Sequence, residues 1–386
     1  MGKRLKLGVI TDEFFDASLG RLGGFGWAAR RLGEIFNGDP SLNVDLVYVA
    51  GEHCATPDRP EAHVHGSRVL LRQHSRLANV RAMRRERFDL LLTIDYNLGY
   101  SVYLRALPRT PAIVWVRDPR TPADAARIDA VRIPRAPDER PQGLMSHDGR
   151  SLARIAREAT VMRRRLLLAT PTPLLVRKLE DAYGFEPWDF HFLPNPVAFP
   201  STECPKSSWP TVAFLARLDP YKRPWLFSEL ARYFPEVEFR FLGQSHFTGS
   251  GSFCASDLPP NVKLLGHVGE AEKHRLLSEA WVAINTSVHE GLAVSFLEAL
   301  ACETPLLSCV NTGSVVSRFG IFTGRFDGSG VESMDAFRAG LQTLLANAAL
   351  RAELGARGRA WVQSVHSVPN FVDNFLRLAT LSGVSR

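Results

Sequence analysis

Short apolar runs separated by stretches long enough for a helix recur along this chain, and they do so in two series. The first series holds Leu5–Ile10, Val44–Val49, Leu90–Ile94, Ile113–Val116 and Leu166–Ala169; the second holds Val212–Leu215, Glu238–Leu242, Lys263–Leu265, Val282–Asn285 and Pro305–Ser308. Parallel strands joined by crossover helices produce this rhythm. Between the series lie Pro194-Asn195-Pro196 and a Pro/Ser-rich stretch from Pro200 to Pro210, where repeated prolines disfavour regular structure. With 386 residues the chain is also too long for one ordinary core. The expected fold is therefore α/β: two doubly wound domains facing across a cleft, each binding ligands at the C-terminal ends of its strands. The domains are expected at 1–196 and 210–365, with a linker at 197–209 and a terminal helix in 366–386 that crosses back to the first domain.

Two segments interrupt the rhythm. Residues 119–150 combine five prolines with many arginines and aspartates, as in a long excursion beyond a strand end that carries specificity. Ser245 to Pro260 is rich in Gly and Ser and reads as a surface loop.

Composition narrows the partners. The formal charge of +7 favours an anionic one. No apolar run approaches the roughly 20 residues that span a bilayer. The first apolar stretch stops at Asp12, too early for a signal-peptide core, and Lys6 stands where a myristoylation signal has Ser or Thr. Cys54, Cys204, Cys254, Cys302 and Cys309 are odd in number and lack metal-ligand spacing, as expected of reduced thiols in the cytoplasm.

The most informative stretch is Ser287-Val288-His289-Glu290-Gly291-Leu292-Ala293-Val294-Ser295-Phe296-Leu297-Glu298. A strand hands over here to a loop and then to a helix, whose first turn offers free N–H groups to a phosphate. Glu290 in the loop suits hydroxyl donors. Glu298, inside the helix, would need a partner such as a ribose diol if buried. The alternative is a capping Glu290 and a surface Glu298.

Upstream, in Phe214-Leu215-Ala216-Arg217-Leu218-Asp219-Pro220-Tyr221-Lys222, Arg217 and Lys222 follow a strand end closely enough to converge on a diphosphate. Taken alone they also read as solvated surface charges. Near the N-terminus, Gly20-Arg21-Leu22-Gly23-Gly24-Phe25-Gly26 precedes a helix without the spacing of a dinucleotide fingerprint. It is either a loop that approaches a phosphate or a tight turn. After Ile113–Val116 come Arg117 and Asp118; the acid either orients a sugar or pairs with Arg117 or Arg120.

The two glutamates, seven residues apart between their positions, together with the upstream Arg and Lys, resemble the donor site of the family 4 retaining glycosyltransferases, whose fold is GT-B with two Rossmann-like domains. The resemblance implies a nucleotide-diphosphate sugar as donor, a hydroxyl acceptor on the N-terminal domain and transfer of a hexosyl group without a metal or other cofactor. It gives Glu290 the transferred sugar and Glu298 the ribose. Backbone amides of Gly291, Leu292, Ala293 and Val294 fall to sugar and phosphate, Arg217 and Lys222 to the leaving diphosphate, Gly23 and Gly24 to the donor phosphates, and Asp118 to the donor sugar or acceptor. Pro194-Asn195-Pro196-Val197 resembles the interdomain segment, and Leu265-Gly266-His267-Val268 the lining of the base pocket. This chain departs from the family at Ala293 and Glu303, where glycines are usual, and at Arg117, where many members have His.

Arginines recur at Arg68, Arg72, Arg76, Arg81, Arg84, Arg85 and Arg87, on a segment expected to be one helix, and again at Arg154, Arg157, Arg163, Arg164 and Arg165. Such a face is either solvated or meets an anionic acceptor or the inner face of an anionic membrane. No nucleic-acid module is present. A sugar-nucleotide hydrolase or epimerase, or a silent nucleotide-sugar sensor, shares the remaining pattern.

Overall fold

The computed structural model describes residues 3–14, 16, 18–19, 23–52, 54, 59–97, 99–138, 149–183, 190–200, 205–245, 253 and 258–384. Gly20–Leu22, Cys204, Cys254, residues 139–148 and most of the Gly/Ser-rich loop lie outside these. The chain divides into two compact units. One contains Met1–Thr121, His147–Pro196 and Val368–Arg386; the other contains Pro122–Ser146 and Val197–Ser367.

The first unit is built on β1 (Leu5–Thr11), β2 (Val44–Ala50), β3 (Glu61–Val64), β4 (Ser67–Leu70), β5 (Leu90–Ile94), β6 (Ala112–Trp115), β7 (Leu166–Thr170) and β8 (Phe190–Phe192). They form one sheet in the order β3-β4-β2-β1-β5-β6-β7-β8, parallel except for the β3–β4 hairpin. That hairpin turns on His65 and Gly66, both at positive φ, as a two-residue loop requires. The helices are α1 (Gly24–Gly38), α2 (Arg76–Glu86), α3 (Tyr100–Ala106), α5 (Gly149–Val161) and α6 (Leu174–Tyr183), with α4 (Pro122–Asp129) belonging to the second unit. Ile10, Val49 and Leu91 meet Met83, Leu104 and Ile155 in one core layer.

The expected basic helix over 68–87 is corrected: Arg68 lies in β4, and only Arg76–Glu86 is helical. The segment before it pairs with β2 and β3, and Ser75 then caps the helix by accepting from the Ala78 amide at 3.4 Å. Part of the arginine face is also paired, while Arg76, Arg81, Arg84, Arg85 and Arg87 are exposed. Arg68 bridges Glu61 and Glu86, Arg72 faces Glu52, Arg105 and Arg154 share Glu158, and Arg164 is buried against the carbonyls of Leu104 and Leu107.

The second unit holds β9 (Thr211–Leu215), β10 (Glu238–Leu242), β11 (Val262–Leu264), β12 (Val282–Asn285), β13 (Leu306–Ser308) and β14 (Gly320–Phe322), all parallel in the order β11-β10-β9-β12-β13-β14. Its remaining helices are α7 (Pro224–Ala231), α8 (Glu270–Glu279), α9 (Val294–Ala301), α10 (Val315–Phe319), α11 (Met334–Ala346) and α12 (Ala348–Val365). Strand alternation sends Val212 and Phe214 to the layer under α7 and α11, and Ala213 and Leu215 to the layer under α8, α9 and α12. The strand order reverses between β1 and β5 in one sheet and between β9 and β12 in the other. In open α/β sheets these reversals open a crevice at the strands' carboxyl ends.

Two segments sit where a single sequence cut would not place them. Pro122–Ser146 groups with the second unit because Ile128 and Val131 pack with Val288, Tyr221 and Trp225. The last helix, α13 (Val368–Leu381), belongs to the first unit, where Phe371 and Phe375 are fully buried against Phe36, and Phe371 also against Trp115. Among the described residues no helix is long and apolar enough to cross a membrane. Truncating this contact tests the role of α13: Phe371→Ala should cost about 3–5 kcal/mol of stability in calorimetric unfolding. A loss below about 1 kcal/mol would make α13 an accessory rather than a part of the core.

Candidate active site

The reversal between β9 and β12 gathers two loops. The first leaves β9 at Leu215, stays beside the β10 chain through the Ala216 and Leu218 amides, and turns in a single 3₁₀ turn at Pro220–Lys222. Arg217 is half-buried, with Nε 3.2 Å from Asp219 and its Nη2 on the Tyr221 hydroxyl; the Lys222 ammonium lies 4.8 Å from the Tyr221 ring centre. Arg223 follows at positive φ, and its side chain is completely buried.

A buried guanidinium must have its donors satisfied. Arg223 donates to the Thr286 carbonyl at 2.8 Å, the Ser287 carbonyl at 3.3 Å, the Phe326 carbonyl at 2.9 Å and Cys309 Sγ at 3.1 Å. Thr286 returns its hydroxyl to the carbonyls of Lys222 and Arg223. The loop after β9 is thus tied to the loop after β12.

The second loop carries Glu290. Its Oε1 accepts from Lys222 Nζ at 2.5 Å, Ser287 Oγ at 2.6 Å and Asn285 Nδ2 at 3.1 Å, while Oε2 is hydrogen-bonded to no described residue. Burial pushes this carboxyl up, but the Lys222 ammonium and the two neutral donors outweigh it and hold it below the usual carboxylate range. Burial likewise pulls Lys222 down, and the Glu290 carboxylate more than offsets that. Both groups are therefore charged at neutral pH.

Beyond Glu290 the chain passes Gly291 and Leu292 to Ala293, the N-cap of α9, which has no side chain to cap it. The first-turn amides at Val294 and Ser295 therefore lack a side-chain partner from the cap. Just over one turn along α9, Glu298 is buried with Oε1 2.5 Å from Lys273 Nζ of α8. Lys273 also reaches Glu270 at 3.0 Å. Burial pulls Lys273 down, but the Glu298 and Glu270 carboxylates together hold it above its ordinary value. Val268 is half-buried against the same core as Phe296 and Leu297.

Behind the loop, α4 supplies a support that no local signal announced. Asp124 lies 3.3 Å from Nδ1 of the buried His289, and Arg127 pairs with Asp327 at 3.2 Å. Lys273, Asn285, Ser287, Arg223 and Asp124 all escaped the sequence reading. Lys273, Arg223 and Asp124 have partners remote in the chain, which only the fold brings together, whereas Asn285 and Ser287 are five and three residues from Glu290 and no local signal aims them at its carboxylate.

The other expected site residues lie in the first unit. Asp118 pairs with Arg120 at 2.7 Å, the pairing alternative left open by its sequence. Arg117 is buried; its guanidinium donates to Asn195 Oδ1 and to the Gly24 carbonyl at 2.9 Å, and lies over the Trp115 ring. Burial pulls it down to about 10 against the opposing charges of Asp95, Glu13 and Asp118. The α1 start is occupied by a carboxylate: Glu13 Oε2 accepts from the Phe25 and Gly26 amides, each at 3.2 Å. Gly23 is required for this, since a Cβ there would fall on the Glu13 carboxylate, whereas the space beside Gly24 is open.

Among the described residues no group of three or more His, Cys, Asp or Glu side chains is arranged to hold a metal ion.

Residues 205–361 match the family profile described as glycosyl transferases group 1. Solved structures of similar fold include a sucrose-phosphate synthase from Thermosynechococcus elongatus, 16% identical over 98% of this chain and 99% of that one, with a TM-score of 0.74. The Anabaena protein HepE in complex with UDP-glucose is 15% identical over 98% of this chain and 100% of its own, with a TM-score of 0.69. The pneumococcal O-GlcNAc transferase GtfA in complex with UDP and GlcNAc is 11% identical over 99% and 100%, with a TM-score of 0.67. No match was found among curated proteins. The fold is GT-B, with two parallel α/β sheets, and its second unit carries the group 1 profile.

The Lys222–Glu290 pair makes stability depend on pH in a defined direction. A carboxyl held below its unfolded value contributes stability above that value and loses it as pH falls through the folded one. In Lys222→Met, burial acts unopposed by the ammonium and raises the carboxyl, so the variant loses stability as pH rises. The Tm gap between wild type and Lys222→Met should widen between about pH 4 and about pH 8. A gap independent of pH would mean that Lys222 does not set the ionisation of Glu290.

Proposed function

We propose that this chain is a retaining glycosyltransferase that moves a hexosyl group from a nucleotide-diphosphate sugar to a hydroxyl acceptor without a metal ion. One observation carries the reading: Lys222, Glu290 and the uncapped start of α9 converge at the β9–β12 reversal, inside the segment that matches the group 1 profile. The second unit takes the donor and the first the acceptor. The bound UDP, UDP-glucose and GlcNAc of the structural neighbours make uridine nucleotides the first donors to try.

In this reading the bond from the anomeric carbon to the diphosphate breaks, the acceptor oxygen bonds on the same face, and the acceptor proton passes to the departing phosphate. Negative charge grows on the diphosphate as it leaves. Arg217, Lys222 and the first amides of α9 are fixed before the reaction, and one such preorganised donor is commonly worth about 2.7–4 kcal/mol. Glu290 offers its unengaged oxygen to a hydroxyl of the transferred sugar, Glu298 takes the ribose, the backbone from Gly291 to Val294 meets sugar and phosphate, and Val268 lines the base. Gly23, Gly24 and Asp118, to which the family resemblance gives the donor phosphates and sugar, lie in the first unit, where Glu13 already holds the α1 amides and Arg120 pairs with Asp118, so they carry no part of this reading. Some of the first unit's arginines are paired, but those of α2 stay exposed, so the acceptor is given as a hydroxyl compound that can be anionic, and peripheral docking on an anionic membrane stays part of the reading. Cys54, Cys302 and Cys309 are buried thiols, in keeping with a cytoplasmic enzyme.

Thermal-shift screening of nucleotide sugars, followed by mass analysis of products with and without acceptors, tests the activity. Hydrolysis without transfer would favour a hydrolase, and binding without turnover a sensor. Glu290→Ala should lower turnover about a hundredfold or more while free-nucleotide binding changes little. Glu298→Ala should weaken the free nucleotide as well. Small, equal effects would make both glutamates structural. A chelator should leave turnover unchanged; a large loss restored by magnesium or manganese would refute metal independence.

A further inference from the structure

Glu298 is anchored through a single oxygen. Lys273 Nζ holds Oε1 at 2.5 Å, and no described residue hydrogen-bonds to Oε2. The carboxylate is 4% exposed, and Lys273, on the neighbouring helix, is 7% exposed, so this is a buried ion pair rather than a surface one. Such pairs contribute little net stability, because desolvating both charges offsets their attraction. An apolar pair between α8 and α9 would pack the same interface. Lys273 is itself fixed from behind by Glu270 of its own helix at 3.0 Å, at i,i+3 spacing, which limits its freedom to swing away.

The arrangement suits one task. A vicinal diol donates two hydrogen bonds, and a carboxylate receives them only if its free lone pairs face the ligand. An uncompensated negative charge near the α9 start would also oppose a diphosphate bound there. Lys273 fixes the first and offsets the second.

We propose that Lys273 is a positioning residue for nucleotide binding: it holds Glu298 by one oxygen and compensates its charge, so that the other oxygen receives the ribose hydroxyls. The proposal rests on the assignment of Glu298 to the ribose. It adds a residue from a different helix, with no sequence motif, to the determinants of nucleotide affinity.

Isothermal titration with uridine and guanosine diphosphates and their 2′,3′-dideoxy analogues tests it on the 386-residue chain. Wild type should bind at least one ribonucleotide more tightly than its dideoxy analogue. Lys273→Met should weaken that ribonucleotide about tenfold or more, as expected when a hydrogen bond to a charged group is lost, and the analogue less than about twofold. Lys273→Arg should restore most of the difference. A general loosening of the α8–α9 interface would weaken both ligands alike, so equal losses, or an unchanged ribose preference in Lys273→Met, would overturn the proposal while leaving the transferase reading standing. Wild type that binds neither diphosphate would overturn the reading and the proposal together. Should Lys273→Met fail to fold, Lys273→Gln keeps a donor without the charge and should still reduce the ribose preference about threefold or more.

Discussion

The candidate site depends on one buried guanidinium. Arg223 is completely enclosed and can be tolerated there only because carbonyls of Thr286, Ser287 and Phe326 take its donors. Those carbonyls belong to the segments that must stay fixed if Glu290 is to meet Lys222. A residue that touches no expected ligand thus sets the spacing between the loops after β9 and β12. The α4 segment braces the same loop through Asp124 and His289.

The two glutamates share a design. Glu290 and Glu298 are each held by a lysine through one oxygen, with the second oxygen engaged by no described residue. A carboxylate held this way has a cation beside it and is aimed before any ligand arrives. The helix starts make a contrast. At α9 the cap is Ala293, and the first amides have no side-chain partner from it; at α1 the amides of Phe25 and Gly26 are already bound by Glu13. An anion meets free donors at the first and a resident carboxylate at the second. The glycine at position 23 therefore has a packing reason of its own, independent of any phosphate.

What the sequence determined by itself was whatever is written locally. Apolar runs and the helix lengths between them specify two parallel α/β sheets, because strand and helix periods depend on near neighbours. The order strand, loop, uncapped helix around Glu290 is local too, as is the nearness of Arg217 and Lys222 to a strand end. Even here local reading failed at Arg68, where pairing with β2 and β3 overrode an arginine-rich helical pattern. Only the tertiary structure decided which charges are enclosed and who their partners are. Lys273 reaches Glu298 across two helices, Lys222 reaches Glu290 across two loops, and α4 joins the second unit although it lies among first-unit residues in the chain. A charge leaves water only where other segments surround it, and the identity of those segments is a property of the packed sheet rather than of any stretch of sequence.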